Sequence, residues 1–170
     1  MYNGSIKVGF ALLSKSKGFT LVELVMTLVI IGILSASAMS LFSSRSGYSA
    51  FLAKDQFIAS ALEAQQVALA LESSAAPSTL TVAVSGNNWV FTVTKDGEAS
   101  PLNELTAATA GGTLTIDGAA LVGSRAFSYN RSGSLTSNTS HIIVFTADNS
   151  HTVCLAASGY AYSPASGACP

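Results

Sequence analysis

An unbroken uncharged segment near the N-terminus limits what this chain can fold into. Residues 24–44 hold 21 residues without a charge, LVMTLVIIGILSASAMSLFSS. A helix that crosses a bilayer needs roughly 20 mainly apolar residues. The sequence therefore predicts a transmembrane helix here. Because Lys15 and Lys17 precede it, the positive-inside rule places the chain after residue 45 on the far side of the membrane.

The remainder has the composition of an uncharged polar domain. Only 10% of the 170 residues are charged, against about 25% in a typical soluble domain. The apolar excess lies before residue 45, and the later part is rich in Ser, Thr, Asn and Gly, with room for one globular domain. From Phe19 onward five basic residues stand against nine acidic ones. A basic nucleic-acid-binding patch is therefore not expected.

Glu23 is the only charged residue between Gly18 and Ser44. A carboxylate costs free energy even near the end of a membrane segment, so its presence needs a reason. A plain signal anchor gives no reason for a charge at this position. A cleavable secretory signal peptide fits no better, because its apolar region has only about 7–15 residues and SASAM at 35–39 is a loose match to its cleavage site.

The residues around this carboxylate, KGFTLVELVMTLVIIGIL at 17–34, resemble the class III signal of type IV prepilins and pseudopilins. The resemblance implies that a membrane aspartyl peptidase removes the leader 1–18 by cutting between Gly18 and Phe19, and then N-methylates Phe19. It also implies assembly through the N-terminal helix. Glu23 of one subunit would pair with the Phe19 amine of a neighbour and set the axial register, since opposite charges attract strongly in low dielectric.

The predicted helix continues beyond the membrane segment. We expect a transmembrane and assembly helix at 19–44 and an amphipathic helix at 45–74, which ends before Pro77 because the residue before proline avoids helical geometry. Two neighbouring apolar stripes run along the second part and are expected to face the domain core. The first stripe is Phe51, Ile58, Leu62 and Leu69, and the second is Phe57, Ala61, Ala64, Ala68 and Leu71.

Short alternating runs separated by turn signals predict a β-rich globular domain at 75–170. No second long helix is predicted, so the sheet should be mainly antiparallel and pack on the amphipathic helix. The predicted fold is α+β, and the resemblance implies that it is pilin-like. The predicted strands are 79–85, 88–94, 112–117, 126–130, 141–146 and 151–156, and the acidic residues Asp96, Glu98 and Glu104 are assigned to a solvated loop.

Cys154 and Cys169 are the only cysteines of the chain. Because an exported chain meets an oxidising compartment, a disulfide is expected. No metal site is expected, since two distant thiols supply too few ligands. The pair resembles the C-terminal disulfide loop of many pilins, which holds an exposed surface segment.

Catalysis finds little support in the sequence. No GxSxG, Walker, HExxH or GxGxxG motif occurs. His141 and His151 fall in predicted strands, where core or solvent-facing histidines are far more common than catalytic bases. Asn130 and Asn138 match the short glycosylation pattern but are interpreted as turn residues. We therefore expect neither enzyme activity nor a cofactor.

Three functions compete at this point. The sequence predicts a structural, minor subunit of a type IV pilus; the alternatives are a minor pseudopilin of type II secretion and a ligand-binding tip subunit. The stretch from FSYNRSGSLT to GYAYS at 127–163 resembles H-type minor pseudopilins, and GYSAFLAKDQFIASALEAQQ at 47–66 is similar to minor subunits of mannose-sensitive haemagglutinin pili.

The resemblance also implies partners and a location. The expected partners are other pilin subunits, prepilin peptidase and the bacterial inner membrane. The chain would cross that membrane once, with its domain in the periplasm, before it is assembled into a pilus at the cell surface.

Overall fold

The structure is a computed structural model that describes residues 18–42, 45–71, 77–96, 98, 100–165 and 167–169, and leaves the side chains of 36–47 undescribed. The predicted leader up to residue 17, the helix junction at 43–44 and the predicted helix end at 72–76 lie outside the described residues. The chain divides into two compact units, Met1–Ser43 and Ser44–Pro170.

The first unit contains one helix, α1, Leu21–Phe42. Leucine, valine, isoleucine and methionine make up most of its first four turns. Over the described part of the chain, no helix reaches the combined length and hydropathy required of a membrane span. The membrane crossing at 19–44 stays a prediction.

The second unit begins with helix α2, Arg45–Ala70, whose buried face is made mostly of alanine. Five alanines and Phe57 on this face are fully buried, at spacings of three and four residues that follow the helical turn. The alanines leave little side-chain volume between helix and sheets, so the backbones can approach closely. The buried residues are Ala50, Ala53, Phe57, Ala61, Ala64 and Ala68.

The two predicted stripes of α2 have different outcomes. The second stripe faces the core from Phe57 to Ala68, while Leu71 lies beyond the end of α2 and is partly exposed. In the first stripe only Ile58 packs against the core, whereas Phe51, Leu62 and Leu69 are 42%, 46% and 58% exposed. The prediction that this stripe faces the core was wrong. The helix packs on the sheets through the smaller side chains of the neighbouring face, and the larger side chains of this stripe remain at the surface.

Nine strands follow α2 and form two antiparallel sheets within the described residues. The first sheet has the order β3-β2-β1-β6 and the second has the order β5-β4-β7-β8-β9. The α+β prediction with a mainly antiparallel sheet is confirmed, although one sheet was expected and two are found. The strands are β1 Ser78–Ser85, β2 Asn88–Lys95, β3 Asn103–Ala108, β4 Thr113–Ile116, β5 Ala119–Ala120, β6 Ser124–Tyr129, β7 His141–Thr146, β8 Ser150–Leu155 and β9 Ala161–Tyr162.

Phe57 of α2 joins both sheets to the helix. Its ring lies 6.0 Å from that of Phe91 and 6.4 Å from that of Phe127, both in the first sheet. On the other side its ring is 6.1 Å from Phe145 in the second sheet. Aromatic pairs at these distances add to the free energy gained by burial. The Phe57 side chain thus contacts both sheets at the place where they pack on α2.

Strand β3 corrects the loop assigned to the acidic stretch. Glu104 lies on this strand, opposite Thr92 of β2, and its side chain is exposed. Asp96 lies in a turn and Glu98 is exposed, as expected of a loop. The sequence of β3, NELTAA, has only one large apolar residue, because an edge strand with one solvent-facing side needs few.

Candidate functional site

Thr20 organises the start of α1, where the predicted processing site lies. The backbone N–H of Glu23 donates to Thr20 Oγ1 at 3.2 Å, and that of Leu24 donates to the Thr20 carbonyl at 3.1 Å. Threonine is therefore the N-cap, since it satisfies an N–H that the helix itself leaves unpaired. The helix begins two residues after the predicted cleavage point, so Gly18 and Phe19 precede it.

Glu23 occupies the first turn of α1 and its side chain is exposed. A carboxylate there interacts favourably with the helix dipole, and the pattern Thr20-x-x-Glu23 is that of a capping box. Yet among the residues that the structure describes, its carboxylate makes neither a hydrogen bond nor an ion pair. The acceptor oxygens remain available to a group that lies beyond the described residues.

Packing against the described residues does not require glycine at position 18. A Cβ added to Gly18 would meet no atom of the described part of the chain within 4 Å. Packing therefore does not explain the choice of glycine. A requirement from outside the folded chain, such as the fit of this bond in a protease, is consistent with this observation.

Apart from Glu23, the described side chains of α1 are mostly apolar around the whole helix. Each leucine, valine, isoleucine and methionine from Leu21 to Leu34 is about half exposed or more. The two hydroxyl groups in this stretch bond to their own helix, Thr27 Oγ1 to the Leu24 carbonyl at 2.8 Å and Ser35 Oγ to the Ile31 carbonyl at 2.7 Å. A helix with this surface is suited to lipid or to other apolar helices.

At the other end of the chain, a disulfide closes a loop. Cys154 and Cys169 are bonded, with their Cα atoms 5.6 Å apart and a separation of 15 positions in the sequence. Within the loop, the rings of Tyr160 and Tyr162 stack at 5.9 Å, and Tyr160 is 57% exposed. The loop thus carries an aromatic side chain on the domain surface.

Gln65 of α2 anchors the base of this loop. Its Nε2 donates to the carbonyls of Gly133 at 3.0 Å and of Ser158 at 3.1 Å, which join the helix to two turns. The turns also touch each other. A Cβ at Gly159 would lie 1.9 Å from the Gly133 carbonyl oxygen, and the φ of Gly159 is +85°, so only glycine fits.

Asp117 fastens the turn between β4 and β5 to strand β7. Its Oδ1 accepts the N–H of Ile142 at 2.8 Å, and its Oδ2 accepts a hydrogen bond from Nδ1 of His141 at 2.7 Å. Burial raises the pKa of Asp117, but the His141 and Ile142 hydrogen bonds and the charges of His141 and Arg125 outweigh it and hold the pKa below its usual 3.8. His141 is a buried core residue, while His151 is partly exposed.

We predict that Asp117→Asn destabilises the domain at neutral pH and much less in acid. A group whose pKa is lowered by folding contributes stability above its unfolded pKa and loses it as the pH falls through the folded one. The expected loss above pH 4 is about 1 kcal/mol, kept small because the carboxylate is half exposed. Denaturant unfolding of unit 44–170, followed by fluorescence of the buried Trp89, measures it; a pH-independent loss would contradict this.

The disulfide gives a second stability prediction. Cys154→Ser should lower the free energy of unfolding by about 3 kcal/mol in the chain-entropy model, while the helix and most of the sheets persist because Gln65 still holds the loop base. Circular dichroism and peptide mapping without reductant check this. Two free thiols in the exported protein would mean that packing alone holds the loop.

The structure separates the predicted site residues into two groups. Gly18, Phe19 and Glu23 lie together at the start of α1, and Cys154 and Cys169 are joined in the other unit.

Sequence reasoning missed Thr20, although the Thr-x-x-Glu pattern signals a cap. It also missed Asp117, although the Asp-Gly pair at 117–118 is a hairpin signal. No local signal identified Gln65, because its contacts are 68 and 93 residues away.

Comparison with known proteins gives a sequence match for the N-terminal segment and a structural match for the fold. Residues 13–39 match the family model of the prokaryotic N-terminal methylation motif. The fold is similar to that of the type IV minor pilin FimU of Pseudomonas aeruginosa strain PAO1 in two crystal forms. In space group P65 the TM-score is 0.50 at 16% identity, covering 69% of this chain and 94% of the other.

In space group P21 the corresponding values are 0.53 and 16%, covering 71% and 92%. At this identity the likeness shows the fold alone, which is therefore pilin-like as well as α+β. No curated protein matches the chain.

Proposed function

We propose that this chain is a structural subunit of a type IV pilus, made as a prepilin and cut between Gly18 and Phe19. The observation that carries the proposal is Glu23. It is a carboxylate without a bonding partner among the described residues, at the start of an apolar helix and inside a methylation motif. The motif and the pilin-like fold both belong to structural subunits rather than to enzymes.

Cleavage supplies the partner that Glu23 lacks. Cutting after Gly18 turns the amide nitrogen of Phe19 into a terminal amine, which carries a positive charge and is then N-methylated. In a filament this amine lies beside Glu23 of a neighbouring subunit, where the low dielectric makes an unpaired ion costly and a paired one favourable. Only processed subunits can form the pair, and its geometry sets the axial register.

The apolar helix performs two tasks in succession. Before assembly it anchors the chain in the bacterial inner membrane with the domain in the periplasm, because the lysines that precede it stay in the cytoplasm. In the pilus the same side chains from Leu21 to Leu34 pack against other subunits. Their exposure in the isolated chain, together with the internally bonded hydroxyls, supports both environments.

The subunit is proposed to be a minor one, most like those of mannose-sensitive haemagglutinin pili. The fold likeness to a protein described as a type IV minor pilin supports a minor subunit, and the resemblance of residues 47–66 supports the mannose-sensitive haemagglutinin type. The disulfide loop also favours a pilin. The second candidate is a minor pseudopilin of type II secretion, which the resemblance of residues 127–163 to H-type pseudopilins supports.

Fractionation of the native host tests the proposal. Filaments sheared from the cells should contain the processed chain, in a lower amount than the principal subunit, and cells without prepilin peptidase should retain only the precursor in the membrane. Deleting the gene should leave type II secretion intact. Loss of secretion with normal pili would favour the pseudopilin instead, and absence from all filaments would overturn the proposal.

A further inference from the structure

The first sheet has two open edges, β3 and the beginning of β6. In an antiparallel pair, alternate residues direct their backbone groups away from the partner strand. The bonds from Thr109 N–H to the Asn87 carbonyl and from Val84 N–H to the Gly123 carbonyl set the alternation on each edge. It directs outward the backbone groups of Glu104, Thr106 and Ala108 on β3, and of Ser124 and Ala126 on β6.

These outward groups have no backbone partner among the described residues, whereas the Ser128 carbonyl further along β6 already accepts from Thr136. An open edge of this kind is a template for an added strand.

The two edges match in direction. Each neighbouring pair in the order β3-β2-β1-β6 is antiparallel, so β3 and β6 of one copy run in opposite directions. A second copy in the same orientation, displaced sideways, therefore brings its β3 antiparallel to β6 of the first. The sheet would continue from copy to copy without turning either one over.

The charges beside the two edges also match. Arg125 of β6 is exposed and makes no hydrogen bond or ion pair within the described residues; its influence on Asp117 acts through space. Glu63 of α2 lies beside β3, where its Oε2 accepts a hydrogen bond from Asn103 at 2.7 Å, and no described cation pairs with it. One edge thus has a spare cation and the other a spare carboxylate.

Both charged groups lie on the same face of the sheet. Arg125 is opposite Val82, and Asn103, which holds Glu63, is opposite Val93. Both valines are buried on the face that packs against α2. When one sheet continues into another, residues on the same face become neighbours, so Arg125 can reach Glu63 of the next copy. Glu104 is on the other face and cannot take this role.

Space for an incoming strand lies beside β6. A groove of about 460 Å³ runs between β6 and the β5 segment of the second sheet, and Ser124 and Arg125 form one of its walls. The opposite wall has the small side chains of Ala119 and Ala120, with Val122 at the rim and 91% exposed. Small side chains leave the backbone of an approaching strand room to enter.

We propose that β3 of one copy pairs antiparallel with β6 of a second copy, and that Arg125 of the second copy pairs with Glu63 of the first. The register that brings these charges together places Ser124 opposite Thr106 and Ala126 opposite Glu104. The inference rests on the proposed function, because a shared membrane gives the copies one orientation before assembly. It identifies this chain itself as a lateral partner.

Cysteine cross-linking of the full chain tests the edge contact. The variant carrying both Thr106→Cys and Ser124→Cys should form disulfide-linked multimers in membranes, because opposite residues have Cβ atoms about 4.5–5.5 Å apart. A head-to-tail contact yields a ladder beyond the dimer. Each single variant should stay monomeric, and the two single variants mixed should give dimers only.

The outcomes separate this inference from the proposed function. No ladder in membranes, with the chain present in filaments, would overturn the edge contact and leave the function standing. A ladder in membranes with no chain in filaments would support the edge contact and overturn the proposed function. Dimers from Thr106→Cys alone would show a two-fold contact instead and would also overturn the inference.

Charge reversal then tests the ion pair in the double-cysteine background. Arg125→Glu and Glu63→Lys should each reduce the ladder several-fold, and the two together should restore it. Glu104→Lys combined with Arg125→Glu is the matched control and should not restore it, since Glu104 is on the wrong face. Equal rescue by both combinations would show non-specific attraction and would contradict the pairing.

Discussion

Cells that make the Glu23→Val variant should insert and cut the chain normally but recover almost none of it in sheared filaments. Valine removes the one charge of the apolar segment, so insertion into the membrane becomes easier. The same change leaves the Phe19 amine of each neighbour without its counter-ion in low dielectric, which is strongly destabilising. Immunoblots of membrane and filament fractions, normalised to the principal subunit, measure the loss.

Thr27→Val is the matched control for this variant. It also replaces a polar residue of α1 by valine, but the hydroxyl it removes only bonds to the carbonyl of its own helix. We expect it to assemble at the wild-type level. If Glu23→Val reached filaments as well as this control does, the pairing of Glu23 with the Phe19 amine would be disproved.

Gly18→Val should block processing and, with it, assembly. A Cβ at Gly18 would meet no atom of the described residues within 4 Å, so we expect the fold to tolerate the substitution and the effect to report on the peptidase. The uncut chain keeps Phe19 in an amide bond, and no amine forms to pair with Glu23. Gel mobility and intact mass of the membrane-bound chain should show the full precursor, and filaments should lack it.

Gly32→Ala provides the comparison for the Gly18 variant. A Cβ at Gly32 likewise meets nothing within 4 Å, but the residue is far from the predicted cleavage point. It should be cut and assembled normally. Wild-type cleavage of Gly18→Val would show that the peptidase does not act at this bond.

The sequence predicted the fold class because its signals are local and strong. Residues 78–85 and 88–95 alternate buried and partly exposed side chains across an open turn, and they form β1 and β2 in full register. Strand β3 was missed because it depends on pairing with β2 and on contact with α2, which the local pattern of NELTAA does not show. The tertiary partner, and not propensity, makes it a strand.

The orientation of α2 could not be predicted from the size of its apolar side chains. Leucines usually mark a core face, yet Leu62 and Leu69 are exposed while Ala61 and Ala68 are buried. Phe57 on the buried face packs against aromatic rings of both sheets, and the alanines on the same face let the helix lie close to the sheets. Which face of α2 is buried therefore depends on contacts with three aromatic rings of strands that are distant in the sequence.

The candidate site was predictable where a linear motif encodes it. Gly18, Phe19 and Glu23 lie within the segment that matches the N-terminal methylation motif, and under the proposed function their linear spacing carries the information. The two hydrogen bonds of the Gln65 side chain were not predictable, because they depend on how two glycine turns meet beside the helix. Contacts of that kind arise only once the chain is folded.

The mass of the N-terminal peptide tests the central claim most directly. The chain recovered from sheared filaments should begin at Phe19 and carry one methyl group on its amine. A filament-derived chain that starts at Met1, or one that starts at Ala36 or beyond, would contradict processing at Gly18 and the assembly mechanism that depends on it.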